Sequence, residues 1–79
     1  MLECKKIWRV SINNVDDDII YVIATNIKSI FDKWYKIEDR FNYNKNDIRS
    51  IEVDGADPDD IEYFEDDFKN CLIDITSED

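Results

Sequence analysis

Twelve of the chain's twenty acidic residues fall between Glu52 and Asp79, where Lys69 is the only basic side chain, a local balance of −11. The first 51 residues carry eight acidic and nine basic side chains, a balance of +1. Any fold must therefore keep the last third of the chain well solvated while still burying its apolar residues. The segment Asp57–Ile75 has a pattern that meets both demands. Ile61, Phe64, Phe68, Cys71, Leu72 and Ile75 recur at the three- and four-residue steps of a helix. The opposite arc holds Asp59, Glu62, Tyr63, Asp66, Asn70 and Asp74, with Asp60, Glu65 and Asp67 on the flanks. Asp57 followed by Pro58 is a helix start, an acidic cap and then proline where its missing N–H costs nothing. The spacing predicts one helix from there, favoured to about Ile73, with Leu72–Thr76 either staying helical or leaving as a short edge strand. On a helix rising about 1.5 Å per residue, Asp59, Glu62 and Asp66 stand about 4.5 and 6 Å apart along the axis, comparable with successive phosphates on a nucleic-acid strand.

At 79 residues, 43% of them hydrophobic and 13% aromatic, the chain suits one small domain over residues 1–79 with a single two-layer core. That apolar content argues against disorder despite the net charge of −10. The longest apolar run is Ile19–Ala24, too short for a transmembrane helix or a signal sequence, and a cytoplasmic protein is expected. Cys4 and Cys71 are far apart and there is no histidine, so reduced structural thiols are expected ahead of a disulfide or a metal site.

Lys5–Asn13 alternates Trp8, Val10 and Ile12 with Ile7, Arg9 and Ser11, which is strand period. Asn13–Asp18 is turn chemistry, and Ile19–Ala24, apolar on both faces, reads as a well-covered second strand forming a hairpin with the first. Thr25 or Asn26 caps a helix whose buried stripe is Ile27, Ile30, Phe31, Trp34 and Ile37 and which stops near Glu38–Arg40. Ile48–Val53 is a third strand with Ile51 and Val53 inward. Gly55, the only glycine, is expected in a backbone conformation that other residues resist. The expected fold is α+β: a three-stranded antiparallel or mixed sheet in β-β-α-β-α order, strand order 2-1-3, with helices packed on it.

No diagnostic catalytic or ligand motif is present. Without histidine the usual general base is missing, and one glycine cannot build a phosphate-cradling loop, so no catalytic residue and no cofactor is expected. DGADPDDIE is rich in oxygen ligands but lacks the order of an EF-hand loop, so no metal site is assigned. A charge of −10 repels nucleic acid and anionic membranes and attracts basic surfaces. The plain explanation of the acidic arc is a solvated surface that keeps the protein soluble. The functional one is a decoy for nucleic acid. Solubility alone needs far less charge, and like charges four apart, such as Glu62 and Asp66, destabilise a helix. Tyr63 on that arc and Tyr43 in a polar loop are possible contact anchors, whereas Trp8 and Trp34 are in phase with the core.

The short, glycine-poor chain, its strand–strand–helix–strand order, its heavy use of Asn, Ile, Lys and Asp, and the block PDDIEYFEDDF resemble small phage-encoded inhibitors, among them anti-CRISPR proteins and other nucleic-acid mimics. The resemblance lies in organisation and composition, mainly over residues 57–67. It implies a target such as the nucleic-acid channel of a Cas nuclease, in the cytoplasm of an infected cell. The expected function is that of a non-enzymatic inhibitor, monomeric or weakly dimeric, that binds a basic nucleic-acid-binding protein. The partner-binding residues are then Asp57, Asp59, Asp60, Glu62, Glu65, Asp66 and Asp67, with Tyr63 as anchor. Two other classes stay open: an immunity or antitoxin partner of a basic toxin enzyme, and a small assembly subunit pairing through a free sheet edge or an apolar patch.

Overall fold

The computed structural model describes residues 4–13 and 18–76. Most of the turn expected over Asn13–Asp18 lies outside them. The alternating stretch forms strand β1 (Lys6–Ile12) and the apolar run forms β2 (Ile19–Ala24), paired antiparallel from Lys6↔Ala24 to Ser11↔Ile19. Asn26 caps the next segment, its side chain accepting the Ser29 N–H at 2.8 Å. A turn at Lys33 divides that segment into α1 (Ile27–Asp32) and α2 (Trp34–Phe41). Asn42 ends α2 in the left-handed region at φ 61°, a conformation asparagine tolerates better than most residues. After a 3-10 turn over Lys45–Asp47, strand β3 (Ile48–Asp54) pairs antiparallel with the other side of β1, with a register shift near Ser11–Ile12.

The chain then differs from the single helix that its spacing predicts. Pro58–Tyr63 is a 3-10 helix, Asp66–Asn70 is a short helix α3, and Leu72–Asp74 is a fourth strand, β4, parallel to β2. The α+β class holds, but the sheet has four strands in the order β3-β1-β2-β4 in place of three. Strand β1 does lie between β2 and β3, as expected. Strand β4 forms because β2 is covered on both faces, and its backbone groups need partners where water cannot reach them. The Tyr21 N–H donates to the Cys71 carbonyl at 2.8 Å, and the Ile75 N–H donates to the Ile23 carbonyl at 3.3 Å. In this arrangement Leu72 faces one side of the sheet while Ile73 and Ile75 face the other.

Both faces of the sheet are apolar, and each has its own cover. On one face Trp8, Val10, Ile12, Ile20, Val22 and Ala24 meet Ile30, Trp34 and Ile37 of α1 and α2. The Trp8 indole donates to the Ala24 carbonyl at 3.0 Å and the Trp34 indole to the Tyr43 carbonyl at 2.9 Å, so neither tryptophan buries an unsatisfied N–H. Ile27 and Phe31, expected in this stripe, are instead more than 40% exposed. At about 100° per residue they turn away from the Ile30–Trp34–Ile37 line. Val53, expected inward, is also largely exposed, because it lies on the edge strand. Tyr43 is half-buried against this core, and its hydroxyl donates to Asp18 at 2.7 Å, so it is a packing residue and not a surface anchor. Gly55 has no positive φ and open space where a Cβ would sit, so nothing in its conformation requires glycine. Cys4 is exposed and Cys71 half-buried, and both are free thiols.

On the second face Ile7, Ile23 and Leu72 are covered by Ala56, Ile61, Phe64 and Phe68, with Tyr21 packed beside them. Phe68 stacks on Tyr21 with ring centroids 4.1 Å apart and meets Phe64 edge-on at 4.8 Å. Phe68→Ala removes the ring shared by both contacts. It is expected to lower unfolding free energy by about 2–3 kcal/mol, less than a fully buried phenylalanine because the site is only half-covered. Chemical denaturation measures this, and a loss below about 0.5 kcal/mol would mean that the second cover is not held by its aromatic residues.

Candidate acidic interface

The segment between Asp57 and Asn70 is held from below by its apolar residues and from within by local hydrogen bonds. Asp57 is the cap the sequence predicts: its carboxylate accepts the Asp59 N–H at 2.9 Å, with Pro58 in the first helical position. Ile61 and Phe64 are three apart, which suits the three residues per turn of a 3-10 helix and puts both on the sheet side. Phe64 and Glu65 are then extended, with ψ 152° and 153°, and this link re-aims the chain so that Phe68 lands on Tyr21. The Lys69 ammonium donates to the Glu62 carbonyl at 3.4 Å, tying α3 back to the 3-10 helix.

Two physical reasons favour this broken path over one α-helix. Asp and Asn are poor helix-interior residues, because their short side chains compete for backbone groups. A continuous helix would also hold Glu62 against Asp66 one turn apart, and the extended link at Phe64–Glu65 removes that like-charge contact. The even ladder from Asp59 through Glu62 to Asp66 is therefore not formed. Asp59 and Glu62 do share one side of the 3-10 helix, about 6 Å apart along its axis. Asp66 and Asp67 belong to the first turn of α3, beyond the link.

The exposure expected of the site residues is what the structure has. Asp57, Asp59, Asp60, Glu62, Glu65, Asp66 and Asp67 are all exposed, and Tyr63, at 78%, is more exposed than Tyr35 or Val53. Seven carboxylates and one tyrosine thus cover the outside of a platform whose inside is Ile61, Phe64 and Phe68. One oxygen of Asp57 is occupied by its cap. A depression of about 320 Å³ at the Asp57 end of the segment is lined by Cys4, Lys5, Asp57, Pro58 and Asp59, and another of about 510 Å³ on α2 is lined by Tyr35, Glu38, Asp39 and Asn42. Among the described residues no group of three or more acidic or cysteine side chains is arranged to hold a metal ion, and no helix is long and apolar enough to cross a membrane.

One surface feature went unrecognised in the sequence. Ile27, Phe31 and Tyr35, four residues apart along α1 and α2, are 42%, 43% and 64% exposed. Their spacing was visible as a second stripe beside the buried one, but Ile27 and Phe31 were assigned to the core.

The cap gives this segment a direct test. Asp57→Ala is expected to cost about 1 kcal/mol and Asp57→Asn much less, because asparagine accepts the same hydrogen bond. Thermal denaturation of the two variants compares them, and equal losses would show that the charge of Asp57 matters more than its cap. No family model, curated protein or solved structure matches the chain.

Proposed function

We propose that the protein is a non-enzymatic inhibitor that binds the basic nucleic-acid-binding surface of another protein through its acidic platform. One observation carries this reading: all seven carboxylates from Asp57 to Asp67 face water, while Ile61, Phe64 and Phe68 between and beyond them are packed on the sheet. A carboxylate on a pinned segment meets a lysine or arginine without first losing the freedom of a loop, and binding is stronger for that. The absence of histidine, the usual general base, supports a binding role over catalysis.

The mechanism is electrostatic and steric competition with nucleic acid. Exposed anions steer encounter with a cationic groove, and a row of two or three carboxylates occupies positions that phosphates otherwise take. The mimicry is one of charge density and outline. An evenly spaced copy of a phosphate strand is not needed, since the Asp59–Glu62 pair and the Asp66–Asp67 pair are separate groups. Tyr63, exposed and between the two pairs in the sequence, serves as the apolar contact. The resemblance to anti-CRISPR proteins extends this proposal to a Cas nuclease as one possible target.

The triple variant Asp59→Lys, Glu62→Lys, Asp66→Lys tests it. These side chains are exposed, so the fold is expected to persist, as far-ultraviolet circular dichroism would show. Wild-type protein is expected to be captured at low ionic strength on immobilised cationic nucleic-acid-binding proteins, and to be eluted by salt and by added DNA or RNA. Retention of the folded triple variant is expected to fall at least about tenfold, the effect of losing about 1.4 kcal/mol of binding. Undiminished retention of that variant would rule the proposal out.

A further inference from the structure

Gly55 is the only glycine of the chain, and its conformation gives no reason for it: φ is not positive, and open space stands where a Cβ would sit. What glycine supplies at this position is chemical. It follows Asp54, and with no side chain of its own it leaves its backbone nitrogen open to the aspartate carboxyl. The surroundings keep that nitrogen available. Neighbouring residues of a strand turn their backbone groups to opposite sides. The Tyr21 N–H and the Ile23 carbonyl bond toward β4, so Val22 and Ala24 bond toward β1. Carried across β1, the alternation makes Ile7↔Asp54 a hydrogen-bonded pair and turns Gly55 to the outer side of β3, an edge strand. Among the described residues the Gly55 N–H donates to no backbone carbonyl, and the Asp54 carboxylate makes no ion pair.

We propose that Asp54–Gly55 is a site of spontaneous backbone rearrangement to isoaspartate. The Gly55 nitrogen attacks Cγ of the protonated Asp54 carboxyl. An N–Cγ bond forms, and the carboxyl hydroxyl leaves with the amide proton as water, closing a succinimide ring. Water then adds to one of the two ring carbonyls, and the bond from that carbon to nitrogen breaks. Opening at Cγ restores aspartate. Opening at the main-chain carbon leaves the backbone running through the side chain, with a free α-carboxylate. Only water enters or leaves. The attack requires Asp54 to turn its carbonyl from the Ile7 N–H, which opens the last ladder pair of an edge strand, where opening costs least. Asp57 is a poorer site because Pro58 has no N–H, and Asp60 because Ile61 is β-branched. The product has one more main-chain carbon between the end of β3 and Ala56, which packs in the second cover. The change therefore falls at the joint where the acidic platform begins. The inference stands independently of what the platform binds.

The whole folded protein is kept for weeks in near-neutral buffer, then digested and mapped by electron-transfer fragmentation, which separates isoaspartate from aspartate of equal mass. Isoaspartate is expected at residue 54, accumulating faster than at any other aspartate of the described residues. Gly55→Ala is expected to slow it at least about tenfold, because the new methyl group crowds the attacking nitrogen. That methyl enters open space at a φ that alanine adopts, so the variant is expected to fold, and thermal denaturation checks this. Rearrangement in the folded wild type that Gly55→Ala suppresses supports the inference. It is overturned if residue 54 stays aspartate, if isoaspartate forms only in the urea-unfolded chain, or if folded Gly55→Ala forms it as fast.

Discussion

The sheet is apolar on both faces, and most of the structure follows from that. Ile7, Ile23 and Leu72 on one side and Trp8, Val10, Ile12 and Val22 on the other all need a cover. A 79-residue chain has few ways to supply two. The α1–α2 segment provides the first. The second comes from the most charged stretch of the sequence, which can do it only by directing Ile61, Phe64 and Phe68 inward and its carboxylates outward. The acidic surface is thus the outer side of a packing solution. Folding and charge display are the same arrangement seen from two sides.

This coupling explains why the segment is broken. A regular α-helix would present an even stripe, but it would also stack Glu62 on Asp66 and ask several aspartates to sit in a helix interior. The 3-10 turn, the extended link at Phe64–Glu65 and the short α3 relieve both problems and still deliver the phenylalanines to the sheet. They also bring the chain back beside β2, where β4 satisfies backbone groups that would otherwise be buried unpaired. The interactions inside the acidic segment are local and modest. Its position rests on the packed rings of Tyr21, Phe68 and Phe64, the first two stacked and the last edge-on.

Much of this was legible in the residues. The alternation in Lys5–Asn13, the apolar run Ile19–Ala24 and the asparagine before Ile27 specify β1, β2 and the capped start of α1, because those signals are local. The Asp57–Pro58 pair marked a helical start correctly, but propensity at one end does not decide how far a helix continues. Leu72–Ile75 fits a helical stripe as well as an edge strand, so the residues left both open with the helix favoured, and the structure has the strand. The alternation of Ile73, Asp74 and Ile75 together with its β-branched content was the better signal. Ile27, Phe31 and Val53 were misplaced for a different reason, since their exposure depends on where neighbouring elements end. The exposure of the acidic residues was readable because charge burial is so costly that their side of the segment could only face water.

The central claim is that the acidic segment is a fixed platform and not a solvated loop. Backbone 15N relaxation of residues 59–70 in the free protein tests it most directly. The account predicts order parameters near about 0.85, equal to those of β1 and β2, whereas values below about 0.6 across the segment would contradict it.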